Sequence, residues 1–255
     1  MKGFAEFEFD LPRALLRELI LLLDGMEMGR LDATTATTIP DVQGVYQLFH
    51  NDQLVYIGKT DAQAGLRDRL SRHARKITHR PKLSGGVSFK AVRILVFTAM
   101  DLETQLISHY RAKDAVPWNG SGFGSNDPGR QRETTNKNPD GFDASYPIDI
   151  DLPAELLPPG PMRIADALAR LKAALPYTLR YETQRDALGK ARRGNPHPDL
   201  VASSAIVNIP APPQTVRKIM RSIKDVLGPE WQATVFASHV ILYKEDRQYQ
   251  HGEVI

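Results

Sequence analysis

The 255-residue chain contains no cysteine, which excludes disulfide frameworks, thiolate zinc sites and cysteine nucleophiles. It has no long hydrophobic run either. The longest, Leu19–Leu23, falls far short of the roughly 20 apolar residues that a membrane helix needs. The opening residues, Met1-Lys2-Gly3-Phe4-Ala5-Glu6, lack the apolar core of a secretory signal, so a cytoplasmic location is the expectation. Net charge is small, at +3, and by itself selects no partner. With 42% hydrophobic and 25% charged residues the composition is ordinary for a globular chain, long enough for one large domain or two modest ones.

The charge is unevenly spread. Between Gly65 and Arg93 nine Lys or Arg stand against one acid, Asp68, which makes a local +8 and leaves −5 for the rest of the chain. His73 and His79 lie in the same stretch. Such a field is the footprint expected for a polyanion such as nucleic acid, the plain alternative being a solvated basic face.

Read in order, Phe4–Phe9 alternates apolar and acidic residues and predicts a short strand. Asp10 then caps a helix to about Asp24, with Pro12 in its first turn. The Thr-rich stretch Leu31–Pro40 reads as an exposed connection. Two strands, Gly44–Phe49 and Gln53–Gly58, form a hairpin through His50-Asn51-Asp52. A helix follows over Leu66–Thr78, then a strand over Val87–Phe97, then a helix capped by Asp101 and reaching Ala112. Residues 119–143 form a long irregular segment, of a length that is often functional. Tyr146–Leu152 reads as a strand, and Leu157-Pro158-Pro159-Gly160-Pro161 as the domain boundary. Beyond it the pattern predicts a helix (Ile164–Leu175), a basic stretch (Gly189–Pro198), a strand (Ala205–Ile209), a helix (Gln214–Leu227) and paired strands within Gln232–Tyr243.

The hairpin carries Gly44-Val45-Tyr46 and, ten residues on, Tyr56-Ile57-Gly58. Arg69-Leu70 follows eleven residues later, with Glu103 and Asn119 downstream. In these motifs and their order the chain resembles the GIY-YIG nuclease superfamily, with Val45 in place of the isoleucine. The resemblance covers roughly residues 4–153. The Arg69–His73 neighbourhood, the loop from Pro117 to Arg130 and the flanking Asp-Leu segments are most similar to its type II restriction endonuclease branch.

The residues also make sense without the resemblance. At 100° per residue Leu66, Leu70, Ala74 and Ile77 span about 80°, while Arg69, His73 and Lys76 fall on an adjacent arc of about 60°. Three basic groups thus line one edge of a buried stripe. In the next helix Glu103 lies within the apolar face formed by Leu102, Leu106, Ile107 and Tyr110. A carboxylate there is costly unless it meets a cation or a partner, and a Glu–Arg bridge is the bland alternative.

The resemblance implies roles for these groups. Glu103 would be the ligand of a Mg²⁺ ion, for which Mn²⁺ can substitute. Tyr46 and Tyr56 would face the scissile phosphate, one of them taking the proton of the attacking water, although a phenol titrates near pKa 10 and needs help from neighbours. Arg69 would hold the phosphoryl oxygens, His73 would hydrogen-bond a tyrosine or the phosphate, and Asn119 would support the site. Lys59, Arg72 and Lys76 are candidate phosphate contacts. Asn126, Asp127, Arg130, Gln131 and Arg132, in the 119–143 loop, offer groups suited to base edges. His109 and Trp118 read as structural, the remaining histidines show no metal-ligand spacing, and Gly122-Phe123-Gly124 is too short for a phosphate loop.

The expectation is therefore an α+β protein: an N-terminal strand–helix extension (1–40), a GIY-YIG domain with a three-stranded antiparallel sheet flanked by helices (41–157), and a small α/β module (162–255). The resemblance implies a site-specific endonuclease acting on double-stranded DNA at a GC-rich palindrome. Such an enzyme would work as a homodimer beside a methyltransferase protecting the same site. A structure-specific repair or mobile-element nuclease and a non-catalytic DNA-binding protein are the alternatives. The last module reads either as a DNA-gripping element or as a dimer-building one.

Overall fold

The computed structural model describes residues 3–6, 10–60, 64–83, 86–95, 101–112, 115–124, 129–134, 141–186 and 191–255; of Gln131, Arg132 and Arg193 it describes the backbone alone. The fold is α+β, with sheets that are mainly antiparallel. Two compact units comprise Met1–Ile77 with Leu83–Gly124, and Thr78–Lys82 with Ser125–Ile255. Among the described residues no helix is long and apolar enough to cross a membrane.

In the first unit α1 (Leu11–Gly25) begins as expected. The Asp10 carboxylate accepts the Arg13 N–H at 3.0 Å, and Pro12 occupies the first turn, where no N–H is needed. Leu19 and Leu23 are its buried residues. The Thr-rich stretch is not an exposed connection. Strand β1 (Gly29–Arg30) enters the sheet, and α2 (Ala33–Thr38), capped by Asp32, buries Leu31 and Ala36. Asp32 supplies the side-chain acceptor that a short threonine helix needs, and that tertiary burial outweighs the weak helix propensity of threonine. The strand predicted over Phe4–Phe9 lies partly outside the described residues, and Phe4–Glu6 are not in a strand.

Strands β2 (Gly44–His50) and β3 (Gln53–Lys59) form the expected hairpin, with His50 opposite Gln53. Asn51 and Asp52 both have positive φ, at 51° and 61°, the conformation a two-residue hairpin turn requires. Helix α3 (Leu66–Ile77) buries Leu66, Leu70, His73 and Ala74. Strand β4 (Val87–Arg93) is shorter than predicted and pairs with β2. Helix α4 (Leu102–Arg111) starts at the Asp101 cap. The sheet order is β1-β4-β2-β3, so the expected three strands gain a short fourth and β2 is central. Gly44 is required there, since a Cβ would stand 2.2 Å from the Val92 carbonyl oxygen. Leu19, Leu23, Val45, Ile57, Leu106 and Val116 form the core between the helices and the sheet.

The second unit contains α5 (Phe142–Ser145), β5 (Gly160–Arg163), α6 (Ile164–Ala174), β6 (Thr178–Tyr181), β7 (Thr183–Arg185), β8 (Ala191–Pro196), α7 (Pro198–Val201), β9 (Ile206–Ile209), α8 (Val216–Leu227), β10 (Gln232–Val235), β11 (His239–Tyr243) and β12 (Glu253–Val254). Its main sheet has the order β12-β10-β11-β6, with β6 parallel to β11 and the other pairings antiparallel. Two-stranded pairs β5–β9 and β7–β8 complete it. The basic stretch around Gly189–Pro198 thus contributes a strand.

Two expectations fail here for a shared reason. The units divide between Gly124 and Ser125, not at the proline run, because Leu157 is buried in the core of the second unit. The fully buried Gln214 amide satisfies that run's backbone, accepting from the Leu156 and Leu157 N–H groups and donating to the carbonyls of Leu157 and Pro210. Residues 146–152 are not a strand. Ile148 donates to Ala237, Asp149 to His79, and Ile150 accepts from Arg217, so the backbone bonds go to three separate places rather than to one ladder. In both segments tertiary partners satisfy the backbone in place of a regular element.

Candidate active site

The two hairpin tyrosines project from neighbouring strands of the sheet. Tyr46 is central and buried, and Tyr56 lies on β3 with its ring centroid 6.2 Å away. Gly58 makes this possible: a Cβ would lie 2.4 Å from the Tyr46 hydroxyl and 2.9 Å from the Tyr56 ring. Across from them α3 presents His73, whose Nε2 is 2.8 Å from the Tyr46 hydroxyl. The His73 ring is 5.5 Å from that of Tyr46 and 5.4 Å from that of Tyr56.

A residue to which the sequence reading assigned no role completes this group. Phe123 stacks on His73 at 4.7 Å and 16°, meets Tyr56 edge-on at 5.0 Å and contacts Trp118. Lys76 donates to the Gly122 carbonyl at 3.0 Å, with its ammonium 5.3 Å from the Phe123 ring centroid. The available signal was Gly120, Gly122 and Gly124, all of positive φ, which wind the chain around one aromatic residue.

Asn119 is joined to β3 rather than turned towards the phenols. Its Oδ1 accepts the Ile57 N–H at 2.9 Å and its Nδ2 donates to the Ile57 carbonyl at 2.8 Å. With Val116 and Trp118 bonded to Leu54 and Val55, residues 116–119 cover the edge of β3 and hold Tyr56 between fixed neighbours.

Burial sets the electrostatics. It pushes the Tyr46 phenol far above its usual range, Tyr56 and Glu103 adding to the effect and Arg69 opposing it. Tyr56 is raised for the same first reason, with Glu103 again adding and Arg69 opposing. His73 is held down to about 3, by burial first and then by the charges of Lys76, Arg69 and Arg72. At neutral pH the cluster therefore consists of two intact phenols and an uncharged imidazole, with the Arg69 guanidinium acting on each of them.

Glu103 sits on α4 as the helical pattern indicated, half-buried, and burial raises its carboxyl above the usual range. Its neighbouring cation is Lys59, at 3.7 Å, rather than an arginine in a closed bridge. Lys59 donates to Asp101 at 2.9 Å, which with Thr104 holds the Asp101 carboxyl down to about 2. Lys59 is thus occupied by carboxylates instead of standing free as a phosphate contact. Among the described residues no three His, Asp or Glu side chains cluster to cage a metal. A single carboxylate that keeps 24% exposure fits a hard cation such as Mg²⁺, which retains much of its water and needs few protein ligands.

Part of the basic field has structural work. Arg80 is buried, donating to Asp143 at 2.8 Å and to the Tyr146 carbonyl, with its guanidinium 4.9 Å from the Phe142 ring centroid. Arg67 donates to Ile39 and Lys90 to Leu23. Arg72 stays exposed and forms no ion pair among the described residues. Of the expected base-reading residues, Asn126 and Asp127 lie outside the described residues, while Gln131 and Arg132 have a described backbone in a 3-10 turn (Gly129–Arg132). Arg130 belongs to the second unit and is tied to Glu182 at 2.6 Å. His109 leans edge-on against Tyr110 and Trp118 is buried, in keeping with structural roles.

The depressed His73 value has a measurable consequence. Between pH 6.5 and about 3 the unfolded imidazole binds a proton that the folded one refuses. Stability contributed by this group is complete above pH 6.5 and is lost as pH falls through that window. Urea midpoints of His73→Gln should therefore fall less steeply with acidification than those of the parent chain. An equal slope in both proteins would refute the buried, uncharged imidazole.

No protein-family model matches the chain, and no curated protein matches it.

Proposed function

We propose that the chain is a divalent-cation-dependent endonuclease of the GIY-YIG type, hydrolysing phosphodiester bonds of double-stranded DNA at specific sites as a type II restriction enzyme does. The supporting observation is the buried contact between the Tyr46 hydroxyl and His73 Nε2, with Tyr56, Arg69 and Glu103 acting electrostatically on the same phenols.

Attack of water on a phosphodiester releases a proton and builds charge on the phosphoryl oxygens. An intact phenol can take that proton only while giving up its own. Tyr46 has an acceptor for it in the lone pair of Nε2, in the tautomer that carries the imidazole proton on Nδ1. A phosphate entering beside Lys76, Arg69 and Arg72 offsets the cationic field that opposes protonation of His73, so the substrate itself improves the acceptor. Arg69 holds the phosphoryl oxygens, and Tyr56 orients the water or the phosphate. Glu103 would hold a Mg²⁺ ion, with Mn²⁺ able to replace it, and the ion when bound supplies charge relief on the phosphoryl and leaving oxygens. A symmetric site implies two copies of the chain, each cutting one strand. A methyltransferase partner and a GC-rich palindrome belong to this reading.

Incubation of plasmid DNA with the protein and Mg²⁺, beside Tyr46→Phe, tests it. Discrete fragments from the parent chain and at least a hundredfold slower cutting by the variant are expected, general acid–base groups being worth about 10²–10⁴. Cutting confined to branched DNA would replace the restriction reading with a structure-specific one. Salt-sensitive duplex binding without cutting would leave a binding module.

A further inference from the structure

Residues 116–124 join the two walls of the tyrosine–histidine cluster. One end is fastened to β3: Val116 and Trp118 donate to the Leu54 and Val55 carbonyls at 3.1 and 2.8 Å, and the Asn119 amide pairs with both backbone groups of Ile57. The other end is fastened to α3, where Lys76 donates to the Gly122 carbonyl at 3.0 Å. Phe123 is set between them, 4% exposed, its ring stacked on His73 and meeting Tyr56 edge-on. Gly124 continues the cover. Its φ is +78°, and a Cβ there would stand 2.8 Å from the Tyr56 hydroxyl and 3.6 Å from His73 Cε1. A side chain at that position would strain the backbone and press on Tyr56.

The groups that act on His73 come from three elements: the Tyr46 hydroxyl from β2, the Tyr56 ring from β3, and the charges of Arg69, Arg72 and Lys76 from α3 itself. Residues 116–124 bring no charge to it, only the phenyl ring. That ring lies within 16° of parallel to the imidazole, so rotation of His73 out of its plane meets Phe123. The direction of Nε2 is thereby fixed. Tyr46 and His73 are 2% and 5% exposed, and the stacked ring takes the place that water would occupy on that face of the imidazole. In the proposed relay the Tyr46 O–H bond breaks, an Nε2–H bond forms, and the attacking water reprotonates the phenol oxygen. An imidazolium then forms against the phenyl face, which attracts a cation.

We propose that Phe123 is a positioning residue of this site: it holds the His73 imidazole in line with the Tyr46 hydroxyl and keeps water from their contact, so that the phenol proton passes to Nε2 rather than to solvent. A stacked phenyl ring suits that task because it fixes a ring plane without offering a competing hydrogen bond. Leucine fills similar space but leaves the plane undefined. The inference rests on the reading of Tyr46 and His73 as a proton relay, and adds to it a residue with no acid–base group of its own.

The test compares the full chain with Phe123→Leu, whose folding is checked by thermal melting. With plasmid DNA and Mg²⁺, kcat should fall about ten- to a hundredfold while KM changes little, the scale of a misplacement of about 1 Å. The relay needs an uncharged imidazole. The parent, with His73 held down to about 3, should show no acid limb from this group near neutrality. In Phe123→Leu water reaches the ring, its pKa moves towards the ordinary 6.5, and a limb appears just below neutral pH. Imidazole NMR of the DNA-free chain follows the same titration directly, with His73→Gln identifying the signals. In the His73→Gln background Phe123→Leu should change kcat little, since the ring through which it acts is gone. Full additivity with His73→Gln, or a slower variant with the parent's pH profile and an unmoved His73 titration, would mark Phe123 as packing alone and overturn the proposal. If Phe123→Leu does not fold, Gly124→Ala, which displaces the same stretch against Tyr56, should reproduce the acid limb; a parent-like profile there overturns it as well. A parent that never cuts DNA, with His73 still moved by Phe123→Leu, would overturn the nuclease reading and leave the hold on the imidazole standing.

Discussion

Replacing Glu103 with glutamine is expected to lower Mg²⁺-dependent plasmid cutting by about three orders of magnitude, the several kcal/mol of charge stabilisation that a bound cation supplies. The same change should not destabilise the fold. Glu103 is half-buried, and burial raises its carboxyl, so ionising it opposes folding. The opposition is present above the ordinary carboxyl range and disappears once the group is protonated. Glutamine keeps the shape without the charge. Its urea midpoint should equal or exceed the parent's at pH 7, and the difference should vanish near pH 3. Lys59 retains Asp101 in the variant, so no cation is orphaned. Activity lost together with stability gained is the signature of a group kept for its chemistry. Cleavage that survives with unchanged metal dependence would remove Glu103 from the metal site.

Arg80→Met is the change expected to cost most in stability, about 3–5 kcal/mol, the usual penalty for removing one partner of a buried ion pair. The Arg80 side chain is 3% exposed and that of Asp143 11%, so the variant strands a desolvated carboxylate and leaves the Tyr146 carbonyl without this donor. Adding Asp143→Asn removes the stranded charge and should restore a substantial part of the loss, since contacting residues are not additive. Urea midpoints of both variants measure it. If Arg80 instead belonged to a polyanion-facing field, the single variant would keep its stability and show a flatter salt dependence of DNA binding.

Arg80 illustrates why sequence charge is an uneven guide. It counts towards the +8 stretch, yet its partner lies 63 residues away, beyond any local pattern. Arg130 is similar, offered as a base reader and found bonded to Glu182, 52 residues on. Asn119, expected to support the site, pairs with the Ile57 backbone, 62 residues back. Phe123 was weighed only within Gly122-Phe123-Gly124, and a lone aromatic residue carries no periodicity that would assign it a role.

What the sequence by itself determined is local. The hairpin follows from alternating strands and an Asn-Asp turn, α1 and α4 from aspartate caps, and α3 from its leucine stripe, which brings Arg69, His73 and Lys76 to one edge. Tyr46, Tyr56, His73 and Glu103 were legible because tightly spaced motifs on regular elements fix which way side chains point. The tertiary structure alone decided where the units divide, which cations are buried, and that Phe123 seals His73. Those features depend on contacts between residues distant in the chain and on desolvation, and neither is visible until the chain is folded.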